Sequence, residues 1–424
     1  MLPSDGNAWP MTASVPGARV TDRGAGLLRD RDLRLLLAGQ AASELGSQVG
    51  GIALPLVAVL ALGAGPLQVG LLTAAGTLSF AVLALPAGVW VDRVARRPVL
   101  VGADLVRGAA LLTVPVAAGL HRLSLVQLAV VALATGMARV LFDVAYPSYL
   151  PALVGPDQLV RANAWLESSR SATQLTGPGL GGWLVQLAGA PLAVAADAAS
   201  FLASAGCLLA IRAAEPDPPR PERRSLRREL AEGLGFVLGQ PALRAITACT
   251  ALTNLLWAAA GTVQLLFLVH QVGLDPVAIG LLLSAGAAGG LVAALAATRV
   301  ARGADTARLI WLPVTVTAPF ALCTPLTAPG WRVALLPLGV AVTSFGQVLY
   351  NIAQMSYRQA LCPPRLLGRM NASIRFLVFG ALPLGGLLGG LAGERLGVHA
   401  TLWLCGIGLA LTPIPLLASP LRRR

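Results

Sequence analysis

Stretches of largely apolar residues follow one another along nearly the whole chain, each about twenty residues long, enough for an α-helix to cross a hydrocarbon layer of roughly 30 Å. They read as twelve spans, at about 33–62, 69–91, 98–119, 123–147, 165–188, 191–211, 242–269, 277–298, 307–327, 333–356, 372–392 and 398–418. Lipid offers the backbone no hydrogen-bond partners, so each span must close its own bonds as a helix. The expected fold class is therefore all-α integral membrane, with twelve transmembrane helices in two pseudo-symmetric six-helix bundles.

The two bundles follow from a duplication. Residues 148–164 (SYLPALVGPDQLVRANA) align without a gap on residues 356–372 (SYRQALCPPRLLGRMNA), with nine identities in seventeen positions. The same offset of 208 sets Gly177, Leu180, Gly181 and Gly182 opposite Gly385, Leu388, Gly389 and Gly390. Arg93-Val-Ala-Arg96 recurs as Arg299-Val-Ala-Arg302, and Gly70-Leu-Leu72 as Gly280-Leu-Leu282. A membrane protein duplicated in parallel suits a two-half transporter, because rocking one half on the other exposes a shared site to either side. The expected division is an N-terminal tail (1–32), a first bundle (33–211), a linker (212–241), a second bundle (242–418) and a C-terminal tail (419–424).

Hydrophobic residues make up 56% of the chain and charged residues 12%, with a net charge of +13. Binding of nucleic acid would need that charge gathered on a soluble face; here it lies in short loops. There is no lysine, so arginines decide orientation. Only Arg122, Arg332 and Arg395 fall in loops of one side, and Arg107, Arg139, Arg170 and Arg375 within spans. The rest share the side of the termini, which places both termini in the cytoplasm and the chain in the inner (plasma) membrane. Residues 1–32 carry no apolar run with a cleavage site, so no removable signal is expected. The linker, with EPDPPRPERRSLRREL, reads as a solvated tether with a short amphipathic helix after Ser225. The five cysteines form no CxxC pair, and neither a disulfide framework nor a metal site is implied.

Without lysine the chain cannot form a phosphate-binding P-loop, so an ion gradient is the remaining source of energy. Ionisable groups within spans are Glu44, Asp104, Arg107, Arg139, Asp143, Glu167, Arg170, Asp197 and Arg375. Asp104 with Arg107, Glu167 with Arg170, and Arg139 with Asp143 are three or four apart and can neutralise each other on one helix face. Glu44 has no basic neighbour on its helix, which makes it the first candidate for proton coupling, with Asp143 the second. Polar residues recur on one helical face in corresponding spans of both halves. Gln40, Glu44, Ser47 and Gln48 form such a stripe in span 1; Thr250, Asn254, Trp257 and Gln264 form one in span 7. Span 4 offers Arg139, Asp143 and Tyr146; span 10 offers Gln347, Tyr350 and Asn351, with Asn351 the repeat partner of Asp143. Facing one another, these stripes predict a wet central cavity with Gln40, Gln48, Arg139, Tyr146, Asn254, Trp257, Gln264, Gln347, Tyr350 and Asn351 as substrate-binding residues. Its acidic groups and mixed polar and aromatic lining suit amphipathic solutes, cations among them.

At the first loop on the side of the termini, Gly88-Val-Trp-Val-Asp92-Arg93-Val-Ala-Arg96-Arg97 resembles the signature G-x-L-x-D-R-x-G-R-R of the major facilitator superfamily, with Trp90 and Ala95 replacing Leu and Gly. The resemblance implies a latch: Asp92 against a helix N-terminus, and Arg93, Arg96 and Arg97 pairing across the cytoplasmic gate, with Gly88 part of the motif. Gly177-Pro178-Gly-Leu-Gly181-Gly182 is similar to the end of the G-P-x-x-G-G motif of drug:proton antiporters of that superfamily, which adds Gly177, Pro178, Gly181 and Gly182 to the gating residues. Ala103-Asp-Leu-Val-Arg107, Tyr149-Leu-Pro-Ala-Leu-Val154, Ala196-Asp-Ala-Ala-Ser-Phe201 and Arg365-Leu-Leu-Gly-Arg-Met-Asn-Ala372 look like the drug and siderophore exporter branch that includes enterobactin exporters and macrolide efflux proteins. That branch has an acid just after the Leu-Gly of helix 1; Ser47 stands there, with Glu44 nearly a turn away.

The resulting expectation is a monomeric secondary transporter that uses no cofactor. It exports small amphipathic or hydrophobic molecules, such as antibiotics, siderophores or other natural products, in exchange for protons by alternating access. The alternative is an uptake permease or uniporter for a small polar metabolite. A membrane-embedded enzyme is disfavoured by the absence of HExxH and GxSxG patterns.

Overall fold

The computed structural model describes residues 31–91, 93–154, 156–213, 215, 226–301, 305–363 and 366–422. Thirteen helices organise them. The first six are α1 (Arg31–Ala61), α2 (Pro66–Val91), α3 (Arg96–Gly119), α4 (Leu125–Leu153), α5 (Pro156–Ala188) and α6 (Ala190–Ala210). After them come α7 (Leu226–Gly239), α8 (Pro241–His270), α9 (Pro276–Ala301), α10 (Thr306–Leu326), α11 (Gly330–Leu361), α12 (Leu367–Leu396) and α13 (Val398–Leu417). Among the described residues, eleven helices are long and apolar enough to cross a membrane. The twelfth span, α5, is 33 residues long but carries Glu167 and Arg170 in its first half. The chain is a multi-pass membrane protein.

Helices α1 to α6 pack as one bundle and α8 to α13 as another. The boundaries follow local chemistry. Ser124 caps α4 by accepting from the Gln127 amide at 3.2 Å, and Asp305 caps α10 by accepting from the Ala307 amide at 3.3 Å. Gly189 and Gly397, repeat partners at the turns after α5 and α12, hold φ of 85° and 88°, a region open to glycine. Helix α4 runs through Pro147 and Pro151 to Leu153, further than its apolar stretch indicates, and α5 begins at Pro156 rather than near 165.

The linker helix forms where the sequence places it, after Ser225, with one face packed and the other exposed. Val237 is fully buried, a Cβ at Gly233 would collide with the Arg369 carbonyl oxygen of α12, and Glu232 pairs with Arg369. The amphipathic pattern is thus used against α12 instead of water or a membrane surface.

The duplication is visible in the contacts, residue for residue. Gly177 and Gly181 on α5 pack against Gln48 and Val49 of α1; their partners Gly385 and Gly389 on α12 pack against Ala258 and Ala259 of α8. Gly182 meets Pro276 and Gly280 of α9 in the other bundle, while Gly390 meets Pro66 and Gly70 of α2. Pro66 and Gly70 are themselves the counterparts of Pro276 and Gly280, at an offset of 210. The two halves therefore meet through two equivalent seams, α5 against α9 and α12 against α2. Small residues let these backbones approach to contact, which lipid-immersed helices need because no hydrophobic force drives them together.

Both seams are tight at the end remote from the chain termini. Besides the glycine contacts, the Gly179 amide donates to Ser284 Oγ at 2.9 Å, and Phe80 stacks on Phe379 with ring centroids 5.5 Å apart near mid-span. At the terminal end of the α2 and α12 pair, Gly88 and Gly368 have no atom within 4 Å of where a Cβ would stand. The protein is closed at the far end and looser at the terminal end.

Candidate functional site

Each bundle holds a cavity, and the two differ in chemistry. The larger, of about 500 Å³, lies in the second bundle and is bounded by α8, α9, α10, α11 and α13, with Gln174 of α5 reaching in from the first. Asn254, Trp257, Gln264, Gln347 and Asn351 line it, as the polar stripes predict. Asn254 Nδ2 donates to the Val378 carbonyl at 3.1 Å, and Gln347 Nε2 donates to Asn351 Oδ1 at 3.3 Å, which fixes two amides at the wall. Trp257 stays 68% exposed and supplies an aromatic face. Among the described residues, none that lines it is ionisable. The remaining polar lining is Ser344 and a set of threonines (Thr253, Thr317, Thr324, Thr343 and Thr412) on four different helices, and the threonines leave little trace in the sequence pattern. Thr317 and Thr343 donate to carbonyls one turn back on their own helices, a habit that makes threonine look indifferent in a pattern.

The smaller cavity, of about 290 Å³, lies in the first bundle and holds charge: Arg107, Arg139 and Asp197 line it together with Ser47, Thr73, Thr77 and Thr135. Arg107 is buried with its guanidinium between two rings, 4.9 Å from the centroid of Phe142 and 4.7 Å from that of Phe201. Its Nη1 lies 3.5 Å from Asp104 Oδ1, and Arg139 Nε lies 3.6 Å from Asp143 Oδ2. These are the pairs that spacing anticipates on α3 and α4. The acids of the predicted central cavity are therefore confined to the first bundle, and the lining that suits a solute is neutral.

The remaining candidates are dispersed. Glu44 is half-buried and accepts from Gln48 Nε2 at 3.4 Å, while Gln48 presses against Gly177. Gln40 and Tyr146 line neither cavity; Tyr146 stacks on Phe142 at 5.6 Å. Tyr350 is corrected from cavity wall to packing: it is 1% exposed, donates to the Ile246 carbonyl at 3.1 Å and lies 2.6 Å from Thr250 Oγ1. A buried phenol takes whatever partners the neighbouring helix offers, and here α8 offers two. Tyr350→Phe should therefore lower stability by about 1 kcal/mol in a denaturant titration while leaving the ranking of transported solutes unchanged.

At the terminal end, Asp92 lies outside the described residues. Arg96 and Arg97 bind within their own half instead of across the gate. Their amides donate to Glu215 Oε1 at 2.7 Å and Oε2 at 3.1 Å, so a carboxylate from the segment after α6 caps α3. The Arg97 side chain donates to the carbonyls of Leu208 and Leu209 at 2.9 and 2.7 Å, at the negative end of the α6 dipole. Arg93 is exposed. Removal of such a cap costs about 1 kcal/mol, so Glu215→Ala should lower unfolding stability by that amount and Glu215→Gln by less.

A profile of the Major Facilitator Superfamily matches residues 36–381. The chain is similar to the multidrug efflux pump Tap of Mycolicibacterium fortuitum, 27% identical over 383 residues, with 87% of this chain and 91% of that protein covered. It is also similar to the enterobactin exporter EntS of Citrobacter koseri, 28% identical over 366 residues and 84% of each chain. Among solved structures, a bacterial homologue of the iron transporter ferroportin in its inward-facing state matches with a TM-score of 0.74 at 19% identity, over 92% of this chain and 98% of that one. The nucleoside transporter NupG matches with a TM-score of 0.72 at 12% identity, over 92% and 98%. With the profile covering most of the duplicated frame, the chain belongs to the Major Facilitator Superfamily of membrane transporters.

Proposed function

We propose that this transporter is a proton-coupled exporter of small, uncharged amphipathic molecules, with the solute held in the second bundle and the proton handled in the first. One observation carries the reading: among the described residues the cavity of about 500 Å³ has amide, hydroxyl and indole lining without an ionisable group, while Arg107, Arg139 and Asp197 line the cavity of about 290 Å³. The larger volume falls in the roughly 300–1,000 Å³ range of sites for drug-sized ligands. Similarity to an efflux pump and to a siderophore exporter favours export. The arginine distribution orients the termini, and the looser end with them, toward the cytoplasm of the inner membrane.

In this arrangement solute enters from the cytoplasm and leaves when the α5–α9 and α12–α2 seams part at the far end. Glu44 and Asp143 remain with Asp104 and Asp197 as the carboxylates available for the proton. A proton changes the balance of the two conformers only by binding one better than the other, and the gradient then gives the cycle its direction. Asp92, Arg93 and Gly88 belong to the latch that favours closure of the cytoplasmic end, and Arg96 and Arg97 secure α3 behind it. Partners are the solute, the proton and the lipid bilayer; a monomer suffices.

Inside-out vesicles with an acidic lumen test this. Neutral chloramphenicol should accumulate in the lumen, the cation ethidium should accumulate less, and an uncoupler should abolish both. Chloramphenicol flux that only follows its own gradient and ignores the uncoupler would mean a uniporter instead.

A further inference from the structure

Five charged side chains lie together on α3, α4 and α6 of the first bundle, Asp104, Arg107 and Asp197 buried and Arg139 and Asp143 exposed, and they do not balance. Asp104 with Arg107 on α3 and Asp143 with Arg139 on α4 make two pairs, at 3.5 and 3.6 Å. Asp197, on α6, is the fifth. It is 4% exposed, it lines the cavity, and its Oδ1 has no hydrogen-bond donor among the described residues. Arg107 lies over Phe201, one turn along the same helix, but is committed to Asp104. With every group ionised the cluster carries one surplus negative charge; with one proton bound it is neutral. Burying an unpaired carboxylate in a transmembrane bundle is costly, and of the three carboxylates Asp197 alone has no arginine in direct contact.

On the reading of the protein as a proton-driven exporter, we propose that Asp197 is the group that loads and releases the coupling proton, and that α1 carries its charge state to the seam between the halves. The groups acting on Asp197 are Arg107 from α3, Arg139 from α4 and Ser200 from its own helix, with Asp104 and Asp143 behind the two arginines. Helix α1 presents Gly46 and Gly50 there, its Glu44 being bonded to Gln48, and among the described side chains of α5 Glu167 and Arg170 are exposed. Loading forms one O–H bond on the carboxylate with a proton from the far aqueous side, and release breaks it toward the cytoplasm. No other bond changes.

The two glycines explain how the proton is felt. A Cβ at Gly50 would collide with Asp197 Oδ2, and one at Gly46 would stand 2.7 Å from Oδ1, so the carboxylate rests against the bare backbone of α1. On another face α1 sets Gln48 and Val49 against Gly177 and Gly181 of α5, and α5 holds Gly182 against Pro276 and Gly280 of α9. Helix α1 thus touches both the surplus carboxylate and the helix that closes the far end.

The test uses the full-length protein in proteoliposomes with chloramphenicol as the probe, measuring accumulation driven by an imposed pH gradient and exchange at equal pH. Asp197→Asn should lose gradient-driven accumulation by about tenfold or more, the scale of a typical coupling free energy, while exchange persists and no longer varies with pH. Asp197→Glu should accumulate the probe with a displaced pH profile. Wild-type accumulation by the Asn variant overturns the assignment. If that variant does not fold, the Glu variant decides: an undisplaced profile overturns the proposal. Wild-type protein that ignores the pH gradient would instead overturn the exporter reading itself, and the wild-type control separates the two failures.

Discussion

Replacing Gly182 with alanine is expected to leave the protein folded and to cut transport by about tenfold, because the new methyl group stands where the far-end seam closes. A Cβ there would collide with the Pro276 carbonyl oxygen and stand 3.2 Å from Gly280 Cα, both backbone atoms of the opposite bundle that cannot swing aside. Overpacking of this kind costs about 1–3 kcal/mol. Within one bundle that cost would fall on stability. Here it falls on one conformer, because the seam opens once per cycle, and it multiplies the far-end-open population by roughly 5 to 150. The counterpart Gly390→Ala should do the same more mildly, since its Cβ would be 2.9 Å from the Pro66 carbonyl oxygen and 3.0 Å from Gly70 Cα, distances that a small shift relieves. Gly102→Ala, with nothing within 4 Å, is the control for a glycine lost from a span. Equal transport by the Gly182 and Gly102 variants would mean that the seam does not limit the cycle.

The second large effect is on selectivity. Gln264→Glu keeps the shape of a cavity wall and adds a charge to a site that has none. A unit charge about 5 Å from a cationic solute at an effective dielectric near 20 is worth about 3 kcal/mol. Part of that is lost to desolvation of the new carboxylate, leaving roughly a tenfold to hundredfold rise in the preference for ethidium over chloramphenicol. Paired half-saturation measurements in the same vesicles read the ratio directly. An unchanged ratio would place the solute elsewhere than the second-bundle cavity.

What the sequence could announce were features fixed by periodicity and repetition. Twelve apolar stretches and a repeat offset of 206 to 210 announce the two bundles, and the matched glycines at 177, 181 and 182 and at 385, 389 and 390 already mark the helices that meet. The stripe on α8 turns Asn254, Trp257 and Gln264 into a cavity of the second bundle, where the stripes taken together predict a single one shared by both halves. Partnership between helices far apart in sequence was not legible. Tyr350 belongs to an apparently polar stripe, yet Thr250 and the Ile246 carbonyl capture its hydroxyl. The arginines of the first loop look like gate residues until Glu215 and the end of α6 are placed 3 Å away. Asp197 shows no neighbour in its own helix to distinguish it. Its isolation emerges only when Asp104 and Asp143 are seen to hold both arginines.

The account rests on two bundles that part at one end as they close at the other. Distances between spin labels test this, in a protein whose five native cysteines, none of them in a disulfide, are replaced. One label pair spans the far end, at exposed Leu187 in the last turn of α5 and Gln271 after α8; the other spans the terminal end, at the repeat partners Arg93 and Arg299, both exposed. Shifting the pH and adding chloramphenicol should lengthen the first distance while shortening the second. Two distances that stay fixed, or that move in the same direction, would contradict alternating access between these halves.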